Sequence, residues 1–263
     1  MPDIPPEKNS CFTVDAFHRG RFHLVQPAGR GHRAGLDAML LAGAVPRDFA
    51  GRLADLGAGA GAAGFAVAAR CEKADVVLVE RSAEMASFAW KSKTLPANAG
   101  LASRIAVLEA DVTLAGRERQ RAGLADRAFD FVIMNPPFNT AHHRASPDRL
   151  RQQAHMMDDG LFEKWLKTAA AIARPRAELA IIARPASLAE ILAALEGRFG
   201  SARVLPVHSR PDEEAIRIVV RAGKGARGGL KLLPSLTLHD RSGHSFIARA
   251  DDVINGRCDL FAG

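Results

Sequence analysis

"LADLGAGAGAAGFAVAAR", residues 53–70, sets the class of fold. Leu53 to Leu56 has the short apolar character of a strand, and "AAGFAVAAR" has the composition of a helix. The glycines between them suit a turn that needs positive φ or a close approach of a bound group. Gly59, Gly61 and Gly64 satisfy G-x-G-x-x-G, so a dinucleotide site is one reading. A tight turn between strand and helix, with no ligand, is another.

From Leu53 onward the pattern repeats. "DVVLVE" is followed by "SAEMASFAWKSK", "RIAVLEAD" by "GRERQRAG", and "FDFVIMN" by the amphipathic "GLFEKWLKTAAAIA". "AELAIIAR", "SLAEILAAL", "ARVLPVHS" and "AIRIVVRAG" complete the series. Alternating strands and helices predict a doubly wound, Rossmann-like α/β sheet that is mainly parallel. The last two strands are joined by a short polar turn, which fits only an antiparallel pair. The expectation is a seven-stranded sheet, six strands parallel, with an antiparallel edge strand. Residues 35–225 form the catalytic core of a single domain spanning 1–263. Residues 11–34 read as a basic hairpin turning at His18-Arg19-Gly20, and 226–263 as a small C-terminal extension of hairpin and helix.

Three acids end successive strands. Asp55 stands two residues before Gly57, where an anion would repel a pyrophosphate. The same carboxylate suits a ligand that presents an ammonium and a sulfonium, as S-adenosylmethionine does. Glu80, at the end of the next strand, can accept both hydroxyls of a ribose. Asp111, after the third, can take an adenine amino group. Each has an ordinary use as well: a salt bridge for Glu80, a helix cap for Asp111. Their common position at carboxyl ends of strands, where open α/β sheets bind ligands, favours the cofactor reading.

The fourth strand ends in "NPPF", Asn135 to Phe138. Proline alone explains why strand pairing stops. The remaining pattern points to chemistry. An exocyclic amino group is a poor nucleophile because its lone pair is delocalised into the ring. Accepting its two N–H bonds with the Asn135 side-chain oxygen and the Pro136 carbonyl favours a tetrahedral nitrogen with its lone pair free. The Pro136-Pro137 pair stiffens the backbone around that carbonyl, and Phe138 offers a face on which a base can stack. An N-P-P-aromatic string arises by chance in roughly one chain in several hundred of this length.

The bulk properties bound the rest. The chain has 263 residues, 48% apolar and 25% charged, with a net charge of +7 and a pI near 9.8. That length supports a sizeable core, and the basic balance favours polyanionic partners, though it equally suits an ordinary basic enzyme. Cys11, Cys71 and Cys258 are scattered and include no C-x-x-C, so neither a disulfide framework nor a metal site is expected, and a reducing cytoplasm fits. No apolar run is long enough for a membrane span, and the N-terminus lacks a signal core.

The sequence resembles class I S-adenosylmethionine-dependent methyltransferases of the amino-methylating type. It is most similar to the family of tRNA adenine-N-6 methyltransferases acting on valine tRNA. The resemblance rests on "GRGHRAGLDAMLLAGAVP", "LADLGAGAG", "VVLVE", "EADV", "MNPPFN" and "ASPDRLRQQAH", which together reach across most of residues 12–185. It implies that Asp55, Gly57, Gly59, Gly61, Glu80 and Asp111 bind S-adenosyl-L-methionine. It implies also that Asn135, Pro136 and Phe138 act on the target, with Pro137 beside them. Asp37 is expected over the cofactor or, equally, as an N-cap for the helix that follows. His32 departs from the family, which has an aromatic residue there.

The loop after the motif carries His142, His143, Arg144, Arg149 and Arg151. His142 and Arg144 are the expected substrate contacts. With the arginine-rich hairpin this loop would build two basic walls around an aromatic floor, which suits RNA, tRNA first of all. A solvated loop with a helix cap at Ser146 is the plainer alternative. The same NPPF loop occurs in guanine-amino rRNA methyltransferases and, usually with tyrosine, in enzymes that methylate a release-factor glutamine. A DNA enzyme is disfavoured because little chain lies outside the core for target recognition. The oligomeric state is not readable from these residues.

Overall fold

The computed structural model describes residues 12–28, 35–137 and 160–261. Phe12–Phe17 (β1) and Phe22–Pro27 (β2) pair antiparallel around a turn at His18–Gly20, as expected of the hairpin. The central sheet uses Ala50–Leu56 (β3), Lys73–Glu80 (β4), Ile105–Glu109 (β5), Phe129–Met134 (β6), Ala173–Ala183 (β7), Phe199–His208 (β8) and Ala215–Lys224 (β9). Two short strands, Lys231–Leu232 (β10) and Leu236–Thr237 (β11), extend it beside β8. The order is β10-β8-β9-β7-β6-β3-β4-β5, with β11 also on β8.

Helices Leu36–Gly43 (α1), Ala62–Arg70 (α2) and Ala83–Thr94 (α3) pack on one face of the sheet. After Ala99–Ala102 (α4) and Gly116–Arg121 (α5), Leu161–Ile172 (α6) and Leu188–Leu195 (α7) pack on the other. Ala248–Ile254 (α8) returns to the first face. The strands are apolar throughout because alternate side chains feed two separate cores. Leu53, Phe131, Ile133, Ala180 and Ile182 enter the first core, whereas Ala54, Leu56, Val132, Leu179 and Ile181 enter the second.

One expectation is corrected. The single antiparallel strand, β9, is not at the edge but lies between β7 and β8, antiparallel to both. Its run Ile218-Val219-Val220 is buried on both faces, with exposures of 3%, 0% and 1%. An edge position would leave one row of its backbone groups unpaired; insertion pairs both rows. The C-terminal hairpin is correspondingly slight, a single bridge between His239 and Phe246. Among the described residues no helix is long and apolar enough to cross a membrane.

Candidate active site

Strand register brings the motifs to one line. Leu56 pairs with Met134 on one side and Val79 on the other, and Val79 pairs with Leu108. Gly57, Asn135 and Glu80 therefore leave the sheet side by side, with Asp111 just beyond the end of β5. Chain order reverses here: β3 is followed outward by β4 and β5, then the chain crosses back to β6. This is the switch-point crevice where open α/β sheets hold ligands.

The glycine loop is braced from within. Gly57 and Ala58 N–H both donate to Val79 O, at 2.8 and 3.0 Å, and Gly61 N–H donates to Ala58 O at 2.8 Å. Gly59 N–H donates to Glu80 Oε2 and Gly64 N–H to Asp55 Oδ2, each at 2.9 Å. A dinucleotide loop needs such amides free to cradle a pyrophosphate. Here these amides already have acceptors, and two of those acceptors are carboxylates that would repel the phosphates. Gly57, at φ 70°, is crowded: a Cβ there would overlap the Trp165 ring, which rises from α6. Gly59, at φ 57°, is uncrowded: a Cβ there would only touch Met85 Cε, at 3.7 Å.

Each acid has a definite setting. Asp55 is 2% exposed, and burial pushes its carboxyl up to about 7, with the Gly64 N–H opposing and the Glu80 charge adding to the rise. A cationic ligand group beside it would favour the ionised form. Glu80 also accepts from Ser82 N–H at 2.8 Å, so both oxygens are oriented while further lone pairs remain. Asp111 is no helix cap; its Oδ1 accepts from Thr113 N–H and Oγ1, both at 2.7 Å, holding the turn after β5.

Asp37 is not an N-cap. Gly35 occupies that position, and Asp37 lies in the first turn of α1, where it accepts from Arg217 Nε at 3.0 and 2.8 Å. Arg217 precedes Ile218, which pairs with Ala183, while Ile181 pairs with Met134. The ion pair therefore stands at the carboxyl edge on the β7 and β9 side of Asn135. The glycine loop, Glu80 and Asp111 occupy the opposite side.

At the end of β6, Pro136 is buried and Asn135 and Pro137 half-buried. The Asn135 Oδ1 atom is buried and, among the described residues, has no hydrogen-bond partner. Buried acceptors are nearly always satisfied, so this oxygen is open to a donor from outside the described residues. Phe138, His142 and Arg144 lie outside the described residues, as does His32. Of the hairpin's arginines only Arg19 and Arg21 are among the described residues, and neither faces the glycine loop. Arg19 pairs with Asp251 at 2.7 Å, and Arg21 donates to Ala69 O near the C-terminal end of α2, the end away from the glycine loop. Trp165 and Arg217 carry no site signal in the sequence. Trp165 is only one apolar residue on an amphipathic helix, and Arg217 lies 180 residues from its partner.

The family of the methyltransferase small domain matches residues 33–209. Among solved structures, one described as a predicted O-methyltransferase from Agrobacterium tumefaciens is 49% identical, with a TM-score of 0.75, covering 85% of this chain and 97% of that one. The T. thermophilus 16S rRNA N2-guanosine methyltransferase RsmC, in complex with AdoMet and guanosine, is 23% identical with a TM-score of 0.55, covering 83% of this chain and 52% of that one. M. jannaschii TYW2, in complex with AdoMet, is 10% identical with a TM-score of 0.56, covering 83% and 88%. At such identities the latter two share the fold. No curated protein matches the sequence.

Proposed function

Because the chain belongs to the methyltransferase small domain family and is an S-adenosyl-L-methionine-dependent methyltransferase, we propose that its acceptor is an exocyclic amino nitrogen of a base in RNA, adenine in tRNA first of all. The observation that carries this reading is the buried Asn135 Oδ1 at the end of β6, which has no partner among the described residues. An oxygen that only accepts is matched to an N–H donor, and Pro136 offers a carbonyl for the second hydrogen of the same amino group. A hydroxyl has one hydrogen and uses only one of these acceptors.

The residues present fit the cofactor. Gly59 keeps the loop uncrowded, Glu80 is oriented for a ribose, and Asp55 provides a carboxylate next to which an ammonium is favoured. When bound, the cofactor supplies a methyl group on a cationic sulfur. What the chain adds is orientation: Asn135 and Pro136 hold the amino hydrogens so that the nitrogen lone pair points away from the ring. Both acceptors are fixed before the reaction, Pro136 by burial and Asn135 by the end of β6. Phe138 would stack the base and Asp111 would hold the adenine of the cofactor. The Asp37–Arg217 pair would border the target on its other side, with His142 and Arg144 contacting RNA. Cys71 and Cys258 are free thiols, in keeping with work in the cytoplasm.

The test is transfer from labelled cofactor to tRNA, rRNA fragments and a release factor, followed by mass analysis of the products. Methyladenosine in tRNA is the expected product. Methylguanosine in rRNA would move the target to another base, a methylated glutamine would move it to protein, and a methyl ether would overturn the nitrogen assignment.

A further inference from the structure

At the amino edge of the sheet, opposite the candidate site, β7, β8 and β9 border a groove of about 580 Å³. Its lining carries Arg176, Arg203, Lys224 and Lys231 against one carboxylate, Glu178. Glu178 is already engaged, accepting from Arg221 Nε at 3.1 Å and standing 3.6 Å from Arg203. Among the described residues, the side chains of Arg176 and Lys231 make no hydrogen bond or ion pair. Much of the remaining lining is glycine, and none of it is aromatic.

The backbone is unusual at the same place. Arg176 and Ser201 line the groove with φ of 67° and 52°, in the left-handed region that favours glycine. Arg176 lies where the β6–β7 register slips, Phe129 pairing with Ala173 but Phe131 with Glu178. Burial, with the Arg221 charge adding, holds Arg203 below the usual arginine value, and burial with Arg127 does the same to Lys224. An anion in the groove would favour the charged forms of both.

We propose that this groove binds the phosphodiester backbone of the RNA substrate, as a second contact remote from methyl transfer. The inference rests on the RNA reading above and adds where the RNA runs. Phosphate contacts need cations and fix position, whereas reading a base needs stacking surfaces or base-edge partners. A groove lined by four cations and no ring suits the former: Lys224 donates to Ala170 O and Ala173 O and Arg203 stands beside Glu178, while Arg176 and Lys231 are unengaged among the described residues. From Glu178, level with Phe131, to Asn135 is four residues of strand and one strand spacing, roughly 14 Å in all. A single nucleotide in the pocket cannot reach so far; a folded RNA extending beyond it can.

The experiment measures tRNA affinity against salt for the wild type, for Arg176→Gln with Lys231→Gln, and for the charge-keeping pair Arg176→Lys with Lys231→Arg. Neutralising two phosphate contacts is expected to reduce the slope of log affinity against log salt by about 1.5, with affinity at about 0.1 M salt falling roughly tenfold or more. Cofactor affinity by calorimetry reports on the fold, and the charge-keeping pair is expected to restore the wild-type slope. If the wild type binds tRNA and the neutralised protein has the same slope, the groove assignment is overturned while the RNA reading stands. If the wild type shows no salt-dependent RNA affinity, the RNA reading falls and the groove assignment with it.

Discussion

Asn135 carries the most chemistry per atom. Among the described residues its oxygen is buried without a partner, and its proposed role is a bond it has yet to make. Asn135→Ala is expected to leave cofactor affinity nearly intact while lowering turnover by roughly two to three orders of magnitude, the scale for losing one preorganised polar group. Single-turnover kinetics beside calorimetry separates the two effects, and full activity in the variant would end the proposed role. Glu80 is the converse case. It braces Gly59 and Ser82 through its two oxygens, and a ribose would use its remaining lone pairs. Glu80→Ala is expected to weaken cofactor binding by about 1.5–3 kcal/mol, the range for hydrogen bonds to a charged group. Unchanged affinity in a folded variant would remove Glu80 from the cofactor site.

Between β3 and α2, two glycines with similar backbone angles should respond differently to alanine. Gly57→Ala incurs the left-handed penalty of about 1–2 kcal/mol and drives a methyl into Trp165, adding a further ~1–3 kcal/mol of overpacking. Gly59→Ala incurs only the first cost, since its Cβ would make only an ordinary contact with Met85. Denaturant melts of both variants check the difference. Combining Gly57→Ala with Trp165→Leu is expected to recover part of the loss, with a coupling energy of at least about 1 kcal/mol. Strict additivity would mean that α6 does not support the loop as the packing indicates. The glycine motif was visible in the sequence. Its reason at Gly57 was not, because the ring that fills the space lies more than a hundred residues away.

Across the whole molecule, two buried groups give stability opposite dependences on pH. His18 packs edge-on against Phe22 with both ring nitrogens unpartnered among the described residues. Burial, then the Arg70 and Arg21 charges, lower it from 6.5 to about 4. The unfolded chain then binds the proton more tightly, so stability present above pH 6.5 is lost as the pH falls toward 4. Asp55 is raised from 3.8 to about 7 by burial. There the folded chain binds the proton more tightly, so stability present below about pH 4 is lost as the pH rises toward 7. The two slopes oppose each other between pH 4 and 6.5. Asp55→Asn removes the second, so the Tm of the variant minus that of the wild type is expected to rise steadily with pH from 4 to 7 in cofactor-free protein. A pH-independent difference would show that Asp55 is not a buried, raised carboxyl.

The succession of strands and helices, the doubly wound class and the meeting of Asp55, Glu80, Asp111 and Asn135 at one edge were determined by the sequence itself. The signals for them are local: apolar runs, glycines that permit positive φ, and prolines that stop a strand. Parallel connectivity then places every strand's carboxyl end on the same side. The tertiary structure alone decided that β9 enters between β7 and β8, that Asp37 meets Arg217, and that Val79, Glu80 and Asp55 take the glycine-loop amides. It also decided that Arg176, Arg203, Lys224 and Lys231 share a groove. Each of these depends on which buried surfaces and unpaired backbone edges find one another across long stretches of chain. Local pattern states what a segment must bury or pair, and only the packed chain states with what.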